Sequence, residues 1–161
     1  MPIKKKKITP SQLYDAIEAE LSKLLRFTQN DAQLKRLGPK SPWTVEVQLV
    51  TAPVMKTANR TFRGKSYATD VLSFPAPPIF RKEGRLGDLL ICLPVLRAQA
   101  NEHAHTEFDE LSVLLVHGVL HLLGFDHEKS SKDAKAMAAW EKKLLQTKGL
   151  IHRVRSGTKI P

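Results

Sequence analysis

A chain of 161 residues is long enough for one domain with its own apolar core, so neither a disulfide framework nor a structural metal is needed to hold it together. An apolar share of 42% and a charged share of 26% exclude a disordered or collagen-like chain, and no apolar run is long enough to cross a bilayer. The formal net charge of +10 favours a polyanionic partner such as RNA, DNA or an anionic surface, although a solvated helix face carrying Lys129, Lys132, Lys135, Lys142 and Lys143 accounts for much of it equally well.

The first seven residues have the positive start of a signal peptide, but Ile8-Thr9-Pro10-Ser11-Gln12 follows where an apolar segment would have to stand. The expectation is a cytoplasmic protein with a basic lead over residues 1–9. Ser11 is the candidate N-cap of a first helix with Leu13, Ile17, Leu21, Leu24 and Leu25 at helical spacing, ending near Asn30. Trp43 to Val50 alternates as a half-buried strand. Thr51 and Pro53 then open a short helix through Arg60, because proline is tolerated in a first turn whose backbone donors are unpaired anyway.

Two more strands are predicted, Asp70 to Phe74 and Asp88 to Leu93, each closed by a proline and separated by a loop rich in Pro, Gly and Arg. Cys92, the single cysteine, cannot form an internal disulfide and reads as a small core residue within Leu89-Leu90-Ile91-Cys92-Leu93. A helix restarts at Pro94, His103 to Thr106 interrupts it, and a strongly apolar helix runs from Glu107 to Leu123, stopped by Gly124. A last amphipathic helix spans Ser131 to Gln146, and the basic tail, residues 151–161, is expected to be loose. Strands grouped early and helices grouped late give an α+β (mixed α/β) sandwich, one small mixed sheet packed by helices.

The most informative stretch is His117-Gly118-Val119-Leu120-His121-Leu122-Leu123-Gly124-Phe125-Asp126-His127. Residues four apart share one helix face, so His117 and His121 can address one metal ion, and the turn at Gly124 can return the chain to offer His127. A lone histidine here would read as a hydrogen-bonded core side chain. Three at ligand spacing in an apolar helix point instead to one ion, and three neutral imidazoles with a position left open suit zinc better than magnesium or calcium. Zinc proteases carry a glutamate after the first histidine, where this chain has Gly118, so peptide hydrolysis lacks its usual base. A metal centre could still activate water, or a ribose hydroxyl if the substrate is RNA. Gly118 leaves room for a bulky substrate or for close helix packing. Asp126 either orients an imidazole or caps the tight turn.

HGVLHLLGFDH resembles the signature of the YbeY family, endoribonucleases of bacteria and organelles that act in rRNA maturation. Asn59-Arg60-Thr61-Phe62-Arg63 with Thr69-Asp70-Val71-Leu72-Ser73-Phe74-Pro75 is similar to a second block of that family, and Leu86-Gly87-Asp88 to its third; together the likeness spans roughly Val45 to Trp140. The resemblance implies one hydrolase domain over residues 1–161, with His117, His121 and His127 as ligands of one zinc ion and Arg63 as the functional arginine beside it. It implies a single-strand-specific endoribonuclease acting on precursor rRNA, in small-subunit maturation and ribosome quality control, with small-subunit ribosomal proteins and an assembly GTPase as partners. A planar guanidinium suits phosphate oxygens, and Arg60, Lys65, Arg81, Lys82 and Arg85 could extend a basic track. The lysine-rich segment after Glu128 departs from the acidic one usual in the family. The alternative reading is an assembly factor that binds pre-ribosomal RNA or ribosomal protein around a mainly structural metal; a metalloprotease ranks third.

Overall fold

The computed structural model describes residues 6–146, so the expected loose tail and the first five residues of the basic lead lie outside the described part. Helix α1 (Pro10–Asn30) buries Leu13, Ile17, Leu21, Leu24 and Leu25 along one face. Its cap is Thr9, two residues before the expected Ser11: the Thr9 hydroxyl accepts from the Gln12 backbone N–H at 3.2 Å, and the Gln12 side-chain oxygen accepts the Thr9 N–H at 2.9 Å. This reciprocal pair satisfies two end donors, and Pro10 stands at the first helical position, where no donor is missed.

The chain continues through β1 (Thr44–Val50), α2 (Ala52–Arg63), β2 (Val71–Pro75), α3 (Pro78–Arg81), β3 (Arg85–Cys92), α4 (Leu93–Glu102), α5 (Glu107–Leu122) and α6 (Ser131–Gln146). The three strands form one mixed sheet in the order β1-β3-β2, with β1 parallel and β2 antiparallel to β3. The predicted α+β architecture is therefore the one observed. Several boundaries differ from expectation by a residue or more, and α2 runs past the expected Arg60 to Arg63. The loop between β2 and β3 contains the single helical turn α3, and β3 begins at Arg85 rather than Asp88 because its pairing with β1 extends back to Thr44.

Alternation along β3 divides the core. Leu89 and Ile91 face the cluster built by α1, α5 and α6, whereas Cys92 joins Met55 and Leu72, with Leu90 and Val95 packed against them, under α2 and α4. Cys92 is the buried core residue expected, and burial pushes its thiol up, away from the reactive thiolate. Helix α5 is the most enclosed element: every residue from Glu110 to Leu120 is buried. An all-round buried helix of this kind is a rigid base for functional side chains.

Gly118 explains how closely α5 approaches the sheet. A Cβ built there would lie 2.8 Å from both terminal methyl carbons of Leu89, so the glycine serves close packing of α5 on β3 rather than room for a substrate. The Ser73 hydroxyl, on β2, also donates to the Gly118 carbonyl at 3.3 Å.

Candidate metal centre

Helix α5 ends in a way that sets the third histidine. Gly124 has φ of 101°, a conformation costly for any side chain, and the N–H groups of Gly124 and Phe125 return to the carbonyls of His121 and Leu120 at 3.0 and 3.1 Å. This 5→2, 6→1 pair closes the helix and reverses the chain. Asp126 then accepts the Glu128 N–H at 2.9 Å, the structural alternative weighed for it, and tightens the turn that carries His127.

The structure brings His117, His121 and His127 together. One ligand nitrogen from each lies within 4.8 Å of the others, and the ring centroids are 4.6 to 5.2 Å apart. His117 Nε2 and His121 Nε2 face each other at 3.1 Å. In a tetrahedral zinc site with N-ligand bonds of about 2.0–2.1 Å, ligand nitrogens sit roughly 3.3 Å apart, so this spacing fits such an ion. Two facing nitrogen lone pairs repel unless a proton or a cation stands between them.

The second nitrogen of His117 sets what that ring presents to the triad. Its Nδ1 lies 2.5 Å from Glu141 Oε1 on α6, and both side chains are nearly enclosed, so Nδ1–H donates to the carboxylate and Nε2 presents its lone pair to the triad. His121 is pushed down to about 4, first by burial and then by the positive charge that His117 and His127 carry when protonated. It is therefore a neutral imidazole near pH 7, the form that binds metal. Glu141 was not singled out from sequence. Its signal was there: it falls four residues after Met137 and three before Leu144 on the buried face of α6, where a carboxylate requires a partner.

A cleft of about 1150 Å³ opens over the triad, between β2 and α6. Arg63 and Lys65 line it, as do Phe62 and Tyr67. Arg63 reaches both oxygens of Glu128 at 2.9 Å, and Lys65 lies 3.6 Å from the same carboxylate, which holds Glu128 below the usual carboxylate range. The rest of the expected basic track does not converge here. Arg81 is used internally, donating to the carbonyls of Leu122 at 3.1 Å and Leu37 at 2.9 Å. Arg85 pairs with Asp88 at 2.9 Å, and none of Arg60, Arg81, Lys82 and Arg85 lines the cleft.

Comparison with known proteins adds an independent line. A family model described as endoribonuclease YbeY matches residues 3–149. Similar proteins include the endoribonuclease YbeY of Alkalilimnicola ehrlichii, 41% identical over 127 residues that cover 77% of this chain and 76% of that one. That of Solibacter usitatus is 50% identical over 103 residues, 63% of this chain and 67% of that one. Among solved structures, the solution structure of a Thermotoga maritima protein superposes with a TM-score of 0.55 at 26% identity, covering 95% of this chain and 96% of that one.

Proposed function

The chain belongs to the YbeY endoribonuclease family, and on that premise we propose that it is a zinc-dependent endoribonuclease that cuts single-stranded RNA during maturation of the small ribosomal subunit. The observation that carries the reading is the convergence of three imidazoles beneath an open cleft whose rim bears Arg63 and Lys65. The donor set, three histidines with one ring oriented by a buried carboxylate, suits zinc and leaves a position for a substrate oxygen. When bound, the ion would act as a Lewis acid on the scissile phosphate.

The chain's own residues do the remaining work. Arg63 offers a planar fork of donors to the phosphate, exchanging its contact with Glu128 for one with the substrate, and its charge stabilises the negative charge that develops during cleavage. Glu141 keeps the His117 lone pair aimed into the site. Phe62, 67% exposed and packed edge-on against Phe74 at 5.0 Å between centroids, is a platform on which an unpaired base can stack. A platform of that kind admits single strands and not a stacked duplex. Residues 1–161 act in this reading as one hydrolase domain. Its further partners, precursor rRNA, small-subunit ribosomal proteins and an assembly GTPase, follow from the resemblance, as does a cytoplasmic location. No helix among the described residues is long and apolar enough to cross a membrane.

The direct test is Arg63→Ala in highly purified protein. Cleavage of a single-stranded RNA should fall by about 10²–10³-fold, the scale on which losing one charge-stabilising donor acts, while bound metal is retained. Undiminished cleavage would remove Arg63 from the reaction. The buried His117–Glu141 contact, which ties α6 to α5 through the triad, also suits a second reading, an RNA-binding assembly factor whose metal is mainly structural. In that case chelation lowers the melting temperature steeply and leaves RNA binding intact in whatever stays folded.

A further inference from the structure

At the other end of α5, His103, His105 and Glu110 come together where α4 turns into α5. We propose that these three side chains form a second divalent-metal site, for a first-row ion of the zinc class, separate from the histidine triad. One ligand atom from each lies within 4.8 Å of the others. Glu110 Oε2 is the hub, 2.5 Å from His105 Nε2 and 3.5 Å from His103 Nδ1.

Three observations point to a ligand rather than to a plain hydrogen-bonded pair. Glu110 is only 1% exposed, its second oxygen, Oε1, has no partner, and no lysine or arginine pairs with it among the described residues. A buried carboxylate met only by imidazole nitrogens, with one of its oxygens idle, is left short of partners, whereas a divalent ion satisfies its charge and can take both oxygens. The backbone between the histidines is also unusual: Ala104 has φ of 54°, the one non-glycine among the described residues with positive φ, and this left-handed residue lets both His103 and His105 turn towards Glu110. Exposure then differs across the cluster. The His105 side chain is 1% exposed and that of His103 45%, so the site has a buried floor and a solvent-facing ligand through which an ion can enter.

The donors select the class of ion. Two imidazole nitrogens and one carboxylate suit zinc and its first-row neighbours, while calcium and magnesium demand oxygen ligands. Glu110 precedes His117 by seven residues on the same helix, a rise of roughly 10 Å, so one ion cannot serve both clusters. An ion here would tie His103, at the end of α4, to the first turn of α5, fixing the helix that bears the triad at its other end.

Metal content of the full chain tests this. The protein is stripped with a chelator, reloaded with zinc, desalted and assayed for ions per chain, beside His103→Ala, Glu110→Gln, His121→Ala and the His103→Ala/His121→Ala pair. His103 is half exposed, so its alanine variant spares the core; circular dichroism confirms folding of each. Two ions are expected in the unaltered chain, one in His103→Ala, one in His121→Ala and none in the pair. Glu110→Gln should match His103→Ala. If His103→Ala holds as many ions as the unaltered chain, or His121→Ala holds none, the second site does not exist. Should His121→Ala alone leave the count unchanged while His103→Ala lowers it, the triad reading fails and the second site stands.

Discussion

The Glu141 carboxylate, 2.5 Å from His117 Nδ1, places that ring's proton on the side away from His121, so the residue acts on the metal through its neighbour. Replacing it by glutamine preserves the shape and removes the charge. Metal affinity should then fall by about 10–100-fold in a chelator competition, the usual cost of losing such a partner, and an unchanged affinity would separate Glu141 from the site. His121 gives a pH signature in the metal-free chain. Its ordinary value of 6.5 applies when unfolded and about 4 when folded, so the unfolded chain binds the extra proton first. Stability is whole above pH 6.5 and declines as pH falls towards 4, and melting curves of the metal-free protein should show that decline, reduced in His121→Gln. The histidines themselves were legible because four-residue spacing and a glycine stop are local facts. Glu141 stands 24 residues from its partner on another helix, and only its place on an apolar face hinted at it.

At the level of elements, the site depends on how near α5 lies to the sheet. Gly118→Ala would drive a Cβ to 2.8 Å from the Leu89 side chain, and overpacking of that kind destabilises by about 1–3 kcal/mol. The melting temperature should drop by several degrees; in a chain already carrying Leu89→Ala, itself costly because Leu89 is fully buried, adding Gly118→Ala should cost less, a coupling that a double-mutant cycle reads directly. Full additivity of the two changes would mean that they do not meet. Sequence left Gly118 with two roles, substrate space or packing, because a glycine in a helix says only that something is close. What is close, Leu89, sits on a strand whose pairing is non-local. The same limit applies to Arg81: as a residue in a loop it reads as a surface cation, yet it closes the end of α5 by donating to the Leu122 carbonyl. The cap at Thr9 instead of Ser11 is a smaller miss of the same family, since both residues can cap and only the reciprocal bond with Gln12 selects one.

For the molecule as a whole, a formal charge of +10 overstates what RNA meets at the site. Arg81 and Arg85 are engaged elsewhere, and the two cations that line the cleft among the described residues, Arg63 and Lys65, share Glu128. Glu128 therefore acts as a stand-in anion that a phosphate must displace, and each basic rim residue freed adds to a salt-dependent, sequence-independent attraction. Glu128→Gln should tighten binding of a single-stranded RNA and steepen its salt dependence, because Arg63 and Lys65 no longer have an internal carboxylate to satisfy. Lys65→Ala should do the reverse, flattening the plot of log K against log salt by about 0.7, the contribution of one phosphate contact on a single strand. Arg85→Ala, away from the cleft, should leave that slope alone. Binding measured across roughly 50 to 200 mM salt distinguishes these cases, and a weaker complex for Glu128→Gln would mean that Glu128 organises the rim for RNA instead of competing with it.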